Sequence, residues 1–238
     1  MSENVTLTID GKDITGEKGQ TIMDAALAND IYIPHLCHHP DLAPYGSCRV
    51  CTCLVNGRPQ TACTFPISDG MEVENDTDTV NEMRKQIVEM LFVEGNHYCM
   101  FCEKSGNCEL QALAYRFGVT TPRYPYQFPK REVDASHPNV WIDRDRCVLC
   151  ARCIRASKDV DGKHAFDFAG RGPNRHISVD AADGIEHTPV DADDKAVQVC
   201  PVGSLMLKRQ GYKIPIGQRK YDHEPIGTDI ETGASKKQ

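Results

Sequence analysis

Basic charge is in short supply in this chain. Its 27 Lys and Arg face 34 Asp and Glu, a formal charge of -7, and without clustered cations the phosphate contacts that hold nucleic acid cannot be made. Long apolar runs are also missing, so no membrane span is expected. The first twenty residues, MSENVTLTIDGKDITGEKGQ, contain neither a basic region followed by an apolar stretch nor a twin arginine. A soluble protein of the cytoplasm is therefore expected, and the glycosylation sequons at Asn4 and Asn75 have no consequence there. No G-x-G-x-x-G follows a strand, no P-loop is present, and no nucleophile triad can be picked out. With 238 residues, 40% of them hydrophobic, the chain can still bury a core and divides into two or three small domains.

Cysteine, by contrast, is plentiful. Twelve in 238 residues is below the density of a disulfide scaffold, and they bunch at two-residue gaps instead of spreading. In a reducing compartment that pattern indicates metal ligation. The cysteines fall into three groups, each in its own structural context.

Residues 1–78 form the first. VTLTID alternates, a turn at Gly11 leads to a second strand through DITGEKG, and a helix opens at Thr21 with Asp24 completing a capping box. Ile22, Ala25, Ala26 and Leu27 supply its apolar stripe, and Gly57 closes a later hairpin between RVCTCLVN and RPQTACTF. This order of elements suggests a small α+β grasp. Cys37, Cys48, Cys51 and Cys63 then read C-x10-C-x2-C-x11-C: three ligands on a loop and a fourth at the end of a hairpin, as plant-type ferredoxins hold a 2Fe-2S cluster. Cys37-His38-His39 contains half of a Rieske pattern, but the second half is C-x2-C here, so His39 is read as a loop residue ahead of Pro40. Cys53 alternates with Cys51 and is read as a small core residue.

Residues 79–120 form the second context. Thr79-x-x-Glu82 is expected to cap a helix lined by Val80, Met83, Ile87 and Met90 or Leu91, ending at Gly95. Cys99, Cys102 and Cys108 follow as C-x2-C-x5-C, and CELQALAYRF reads as the next helix. Three thiolates leave a four-coordinate cluster one ligand short. His97, two residues before Cys99, is the expected fourth ligand, because a neutral imidazole suits iron better than the neighbouring Glu103 or Glu109.

The third context, 121–210, centres on DRDRCVLCARC. Cys147, Cys150 and Cys153 lie on what reads as a tight, helix-like winding that suits three corners of a 4Fe-4S cubane better than a tetrahedral zinc. Cys200, followed by Pro201, is the expected fourth ligand; the 46 intervening residues cost little extra loop entropy. The tail, 211–238, lacks periodicity and is expected to dangle or to lie across a partner.

Taken in order, MDAALANDIYIPHLCHHPDLAPYGSCRVC, NHYCMFCEKSGNCELQ, CVLCARCIRA and CPVGSL resemble the N-terminal iron–sulfur portion of the large iron–sulfur subunit of respiratory complex I, over about residues 4 to 210. Similar chains occur in iron-only hydrogenases, in NAD-dependent formate dehydrogenases, and as the free-standing small diaphorase subunit of soluble NAD-reducing nickel–iron hydrogenases. Because the chain stops at Gln238, the last is the expected relative. Its histidine departs from the wider family, which has H-x3-C where this chain has H-x-C.

The resemblance implies one 2Fe-2S and two 4Fe-4S clusters. It implies as partners an FMN/NAD-binding diaphorase subunit and the small and large subunits of a nickel–iron hydrogenase, with the two-iron site nearest the flavin and the His97 site facing the hydrogenase. Three clusters and no substrate site would make the chain a wire. A globule of this length has a radius of gyration of about 18 Å, which keeps the clusters near one another. The equivalent subunit of a formate dehydrogenase and a free multi-cluster ferredoxin are the alternatives.

Overall fold

A computed structural model describes residues 4–234. Strands β1 (Asn4–Ile9) and β2 (Lys12–Glu17) form a hairpin because Asp10 and Gly11 both take positive φ, 49° and 77°; this two-residue turn twists in the same sense as the strands it joins. Helix α1 (Ile22–Ala28) begins with the expected capping box, Thr21 and Asp24 each accepting from the other's amide. A second tight turn, at Asn56 and Gly57, joins β3 (Thr52–Val55) to β4 (Arg58–Thr61). Strand β5 (Met71–Glu74) completes a sheet of order β2-β1-β5-β3-β4, in which β1 and β5 run parallel and the other pairs antiparallel. Alternate residues of β1 and β2 and one face of α1 bury Leu7, Ile9, Ile14, Ile22 and Met23 in a single core. The architecture is the α+β grasp that the sequence suggested.

Helix α2 (Asp78–Glu94) differs from the expectation in two respects. Its cap is Thr77, whose hydroxyl accepts from the Val80 amide at 3.4 Å. Thr79 lies inside the helix. Its buried face holds Val80, Arg84, Val88, Glu89 and Val93, while Met90 is exposed. Two charged residues lie inward because each is fully engaged. Arg84 donates to the carbonyls of Thr52 and Asn75 and to the Asn75 side chain, and Glu89 accepts twice from Arg123. A buried ion satisfied in this way is tolerated where an unpaired one is not.

After α3 (Glu109–Arg116), strands β6 (Val133–Asp134), β7 (Val140–Asp143) and β10 (Leu205–Leu207) form a three-stranded sheet of order β10-β7-β6. Between β7 and β10 come α4 (Arg152–Asp159), the hairpin β8 (Phe166–Ala169) and β9 (His176–Val179), and α5 (Lys195–Gln198). They close a second core around Val140, Ile142, Ala156, Phe166, Ile177 and Leu205.

The tail does not dangle over its described length; it returns to its own chain. The Tyr212 hydroxyl donates to the Phe101 carbonyl at 2.7 Å, Arg219 to the Ser105 carbonyl at 3.1 Å, and the Tyr221 amide to the Gly106 carbonyl at 3.0 Å. Beyond these, Arg116 is bonded to the Ile226 carbonyl and paired with Glu231 of the short α6 (Thr228–Glu231). Among the described residues no helix is long and apolar enough to cross a membrane.

Candidate metal centres

Cys37, Cys48, Cys51 and Cys63 come together under the grasp sheet, none more than 8% exposed. The loop from α1 carries the first three, and Cys63 follows β4. The Cys37 sulfur faces the thiols of Cys48 and Cys63, with the amides of Cys48 and Ser47 also turned toward it, and these contacts hold it below the usual thiol range against the opposing effect of burial. Cys63 likewise faces Cys51, which it lowers. The same contacts push the Cys48 and Cys63 thiols up, with burial adding to the rise, so the four sulfurs form one continuous group in which two favour the anion at the expense of the other two. Arg49 between Cys48 and Cys51 takes φ 61°, which turns the C-x2-C segment back on itself.

His39 accepts the Asp41 amide at its Nδ1, 3.2 Å away, and so serves the loop, as read from the sequence. Cys53 is fully buried but not in purely apolar surroundings: its sulfur lies 3.3 Å from Arg84 Nη2 and 3.8 Å from Asn75 Oδ1.

Cys99 and Cys102 lie on and just after a one-turn 3-10 helix, Cys99–Phe101, and Cys108 immediately precedes α3. Burial pushes the Cys108 thiol up to about 12, with the Gln111 and Leu110 amides and the Cys102 and Cys99 thiols as further influences. Arg146, anchored by Asp143 at 2.8 Å, points Nη1 at the Cys102 sulfur, 3.6 Å away. A Cβ on Gly203 would stand 2.5 Å from that sulfur, so only glycine lets the chain pass so close.

The His97 imidazole is half-buried, with its Nε2 turned to the interior. Its pKa is lowered to about 4 by that burial, opposed by a hydrogen bond to the Leu91 carbonyl. Its Nε2 is buried without a hydrogen-bond partner among the described residues. A neutral ring held at one nitrogen by a carbonyl, with the other nitrogen free, is in the state a metal-binding histidine requires.

The third group is drawn from two distant segments. Each of Cys147, Cys150 and Cys153 feels the charge of Cys200. Burial dominates all three, pushing Cys147 up to about 11 and Cys150 to about 12. The winding departs from the helix-like one expected from the sequence: Leu149 and Ala151 take φ 52° and 57°, and α4 begins only at Arg152, so that Cys153 alone lies on a helix. These two left-handed residues turn successive sulfurs inward, and the Leu149 amide lies 3.4 Å from the Cys147 sulfur.

Among the described residues no three His, Cys, Asp or Glu side chains converge tightly enough to hold a lone metal ion. The fit to a metal group rests instead on the mutual facing of the sulfurs in the first group, on the burial or half-burial of all the cysteines, and on the orphaned imidazole nitrogen. All twelve cysteines are free thiols. Groups of three or four buried thiols are costly to ionise unless a metal takes them as thiolates.

The sequence reading missed the arginines around these sites: Arg146 at Cys102, Arg155 on the Cys37 and Ala43 carbonyls, and Arg152 deep among the three groups. Arg152 and Arg155 stand inside CVLCARCIRA, the segment that carries the third group, and that position was the available signal.

Three family profiles match in succession: a 2Fe-2S iron–sulfur cluster binding domain over residues 2–78, the iron–sulfur binding region of NADH-ubiquinone oxidoreductase G over 84–123, and the ferredoxin-like domain of NADH-quinone oxidoreductase subunit 3 over 137–206. The NAD-reducing hydrogenase HoxS subunit gamma of Cupriavidus necator is 42% identical over 234 residues, which is 98% of this chain and 100% of that protein. The NADPH-Fe(3+) oxidoreductase subunit alpha of Geobacter sulfurreducens is 35% identical, and the mitochondrial 78 kDa subunit of NADH-ubiquinone oxidoreductase of Candida albicans 32%. The matches to these two longer proteins cover only 24% and 29% of their lengths. In the crystal structure of an NAD+-reducing NiFe-hydrogenase in the H2-reduced state, one chain superposes with a TM-score of 0.91 at 45% identity, covering 94% of this chain and 95% of that one.

Proposed function

Because this chain belongs to the family of the gamma subunit of NAD-reducing hydrogenase, we propose that it is the electron-transfer subunit of such a complex and holds three iron–sulfur clusters. In this reading Cys37, Cys48, Cys51 and Cys63 hold a 2Fe-2S cluster. His97, Cys99, Cys102 and Cys108 hold one 4Fe-4S cluster, and Cys147, Cys150, Cys153 and Cys200 the other. When bound, the clusters supply one-electron redox chemistry between a flavin-bearing, NAD-handling subunit and a nickel–iron subunit pair. The chain's own contribution is to fix the sulfurs, keep water from the first group, and place amides and guanidinium groups beside the sulfurs. Residues 1–78, 79–120 and 121–210 serve as the three cluster-binding regions, and the whole operates in the cytoplasm.

The observation that carries this reading is that the cysteines of one chain fall into three groups along a match to the gamma subunit that runs end to end. Anaerobically purified protein should contain about ten irons, the sum of one two-iron and two four-iron clusters. The native complex should contain nickel and FMN. Stoichiometric zinc with little iron would overturn the cluster reading, and a molybdenum-containing partner would replace the hydrogenase with a formate dehydrogenase.

A further inference from the structure

Arg152 is 2% exposed and lies between two cysteines of the third group. Its Nη1 and Nη2 donate to Oε1 and Oε2 of Glu109 at 2.7 Å each, the paired geometry in which guanidinium and carboxylate bind most strongly. Nη2 also donates to the His38 carbonyl at 2.7 Å, and Nη1 to the Val199 carbonyl at 3.3 Å. Every one of these partners adjoins a cysteine. Glu109 follows Cys108, His38 follows Cys37, and Val199 precedes Cys200. One guanidinium therefore ties together backbone or side-chain neighbours of all three groups. One turn later on α4, Arg155 donates to the Cys37 carbonyl and so fastens the same helix to the first group.

A buried ion pair is a weak stabiliser against an apolar replacement, because desolvation offsets most of the attraction. Its geometric and electrostatic effects are another matter. A lysine could not make this set of contacts, since it lacks the planar fork. The pair is neutral as a whole, so an electron arriving nearby meets neither a net cation nor a net anion. Neutralising Glu109 leaves Arg152 as a whole buried charge at short range, where screening is weak, whereas neutralising Arg152 leaves a carboxylate that is partly open to solvent. Cluster potentials respond to local net charge.

We propose that the Arg152–Glu109 pair is a positioning element shared by the three sites and that its neutrality sets the midpoint potential of the Cys147, Cys150, Cys153 and Cys200 site. The inference rests on the ligand groups proposed above. Arg152 holds the three groups in fixed relation, and Glu109 cancels the charge that Arg152 would otherwise present to the third site.

Redox-titrated electron paramagnetic resonance of the full chain tests this, with the third-site signal identified by its loss in Cys150→Ser. Glu109→Gln leaves the Arg152 cation uncompensated and should raise the midpoint potential of that signal. Arg152→Gln leaves the Glu109 carboxylate uncompensated and should lower it by less, because that side chain is 24% exposed and partly screened by solvent. The double variant, neutral at both positions, should return toward wild type. An unmoved potential in Glu109→Gln, or a double variant that does not return, would show the pair to be structural only and overturn the proposal. Should Glu109→Gln fail to fold, the double variant is compared with Arg152→Gln: a higher midpoint in the double variant supports the proposal and an equal one overturns it. Wild-type protein without cluster signals would sink the ligand reading itself, whereas intact wild-type signals with unmoved variant potentials would sink this inference alone.

Discussion

Around Cys37, Cys48, Cys51 and Cys63 the protein closes on every side, whereas the turn that carries Cys99 and Cys102 leaves Met100 at 82% and Phe101 at 72% exposure. The first group is sealed by a sheet, a helix and a loop whose amides point at sulfur. The second is held by a single turn, an arginine, a glycine and the returning tail, and its fourth candidate ligand is a histidine. Solvent access and ligand charge both move cluster potentials, an imidazole leaving the cluster one charge less negative than a thiolate would. In the proposed cluster reading, the contrast between the two groups is therefore one of retention and of potential.

The sharpest way to break the comparison is to open the sealed group. Cys37→Ala should abolish the two-iron signal and lower the thermal midpoint by about 6–12 °C, equivalent to about 3 kcal/mol, while the four-iron signals persist. Scanning calorimetry with iron analysis checks both parts, and a surviving two-iron signal would remove Cys37 from the group.

A smaller effect is expected at the open group. His97→Ala should weaken iron retention at that site against a chelator by at least about tenfold, without touching the two-iron signal. His97→Cys, where the thiol reaches the metal, should retain the cluster at a lower potential. Unchanged spectra and full hydrogen-dependent NAD reduction in His97→Ala would reopen the fourth position.

Gly203→Ala probes the same site from the outside. Its added carbon meets the Cys102 sulfur at 2.5 Å, which should cost about 1–3 kcal/mol by overpacking and perturb only the second site's resonance. An equal disturbance at the two-iron site would show that the two groups are mechanically coupled.

The smallest change is Cys53→Ser. The hydroxyl inherits Asn75 Oδ1 and Arg84 as partners, so the cost should be under about 1 kcal/mol with every cluster signal intact. Loss of the two-iron signal would mean that Cys53 is a ligand and that one of the four sulfurs has been misassigned.

What could be read from residues alone was local. The Thr21 capping box and the hairpin turns were visible because each is decided within four residues. The cysteine groups were visible because their two-residue gaps are of the kind that metal ligation requires. What escaped the reading depends on partners far along the chain. Arg84 and Glu89 look like solvent-facing residues of α2 until Asn75 and Arg123 are in place around them. Ile226 looks like part of a featureless tail until Arg116, 110 positions earlier, takes its carbonyl. Hydrophobic periodicity has no means of registering a buried charge whose solvent is replaced by distant carbonyls.

The parallel pairing of β1 with β5 bears on how the protein is made. Leu7 pairs with Met71 and Ile9 with Val73, enclosing all four thiols of the first group in the intervening chain. A ribosome adds about 5–20 residues each second, so the first hairpin waits several seconds for the strand that completes its sheet. Long-range parallel pairing is also intrinsically slow. From its own synthesis until that strand arrives, each of Cys37, Cys48 and Cys51 is open to oxidant and to competing metals. If they hold the cluster proposed above, they must stay reduced until the fifth strand has closed and iron and sulfide can be seated.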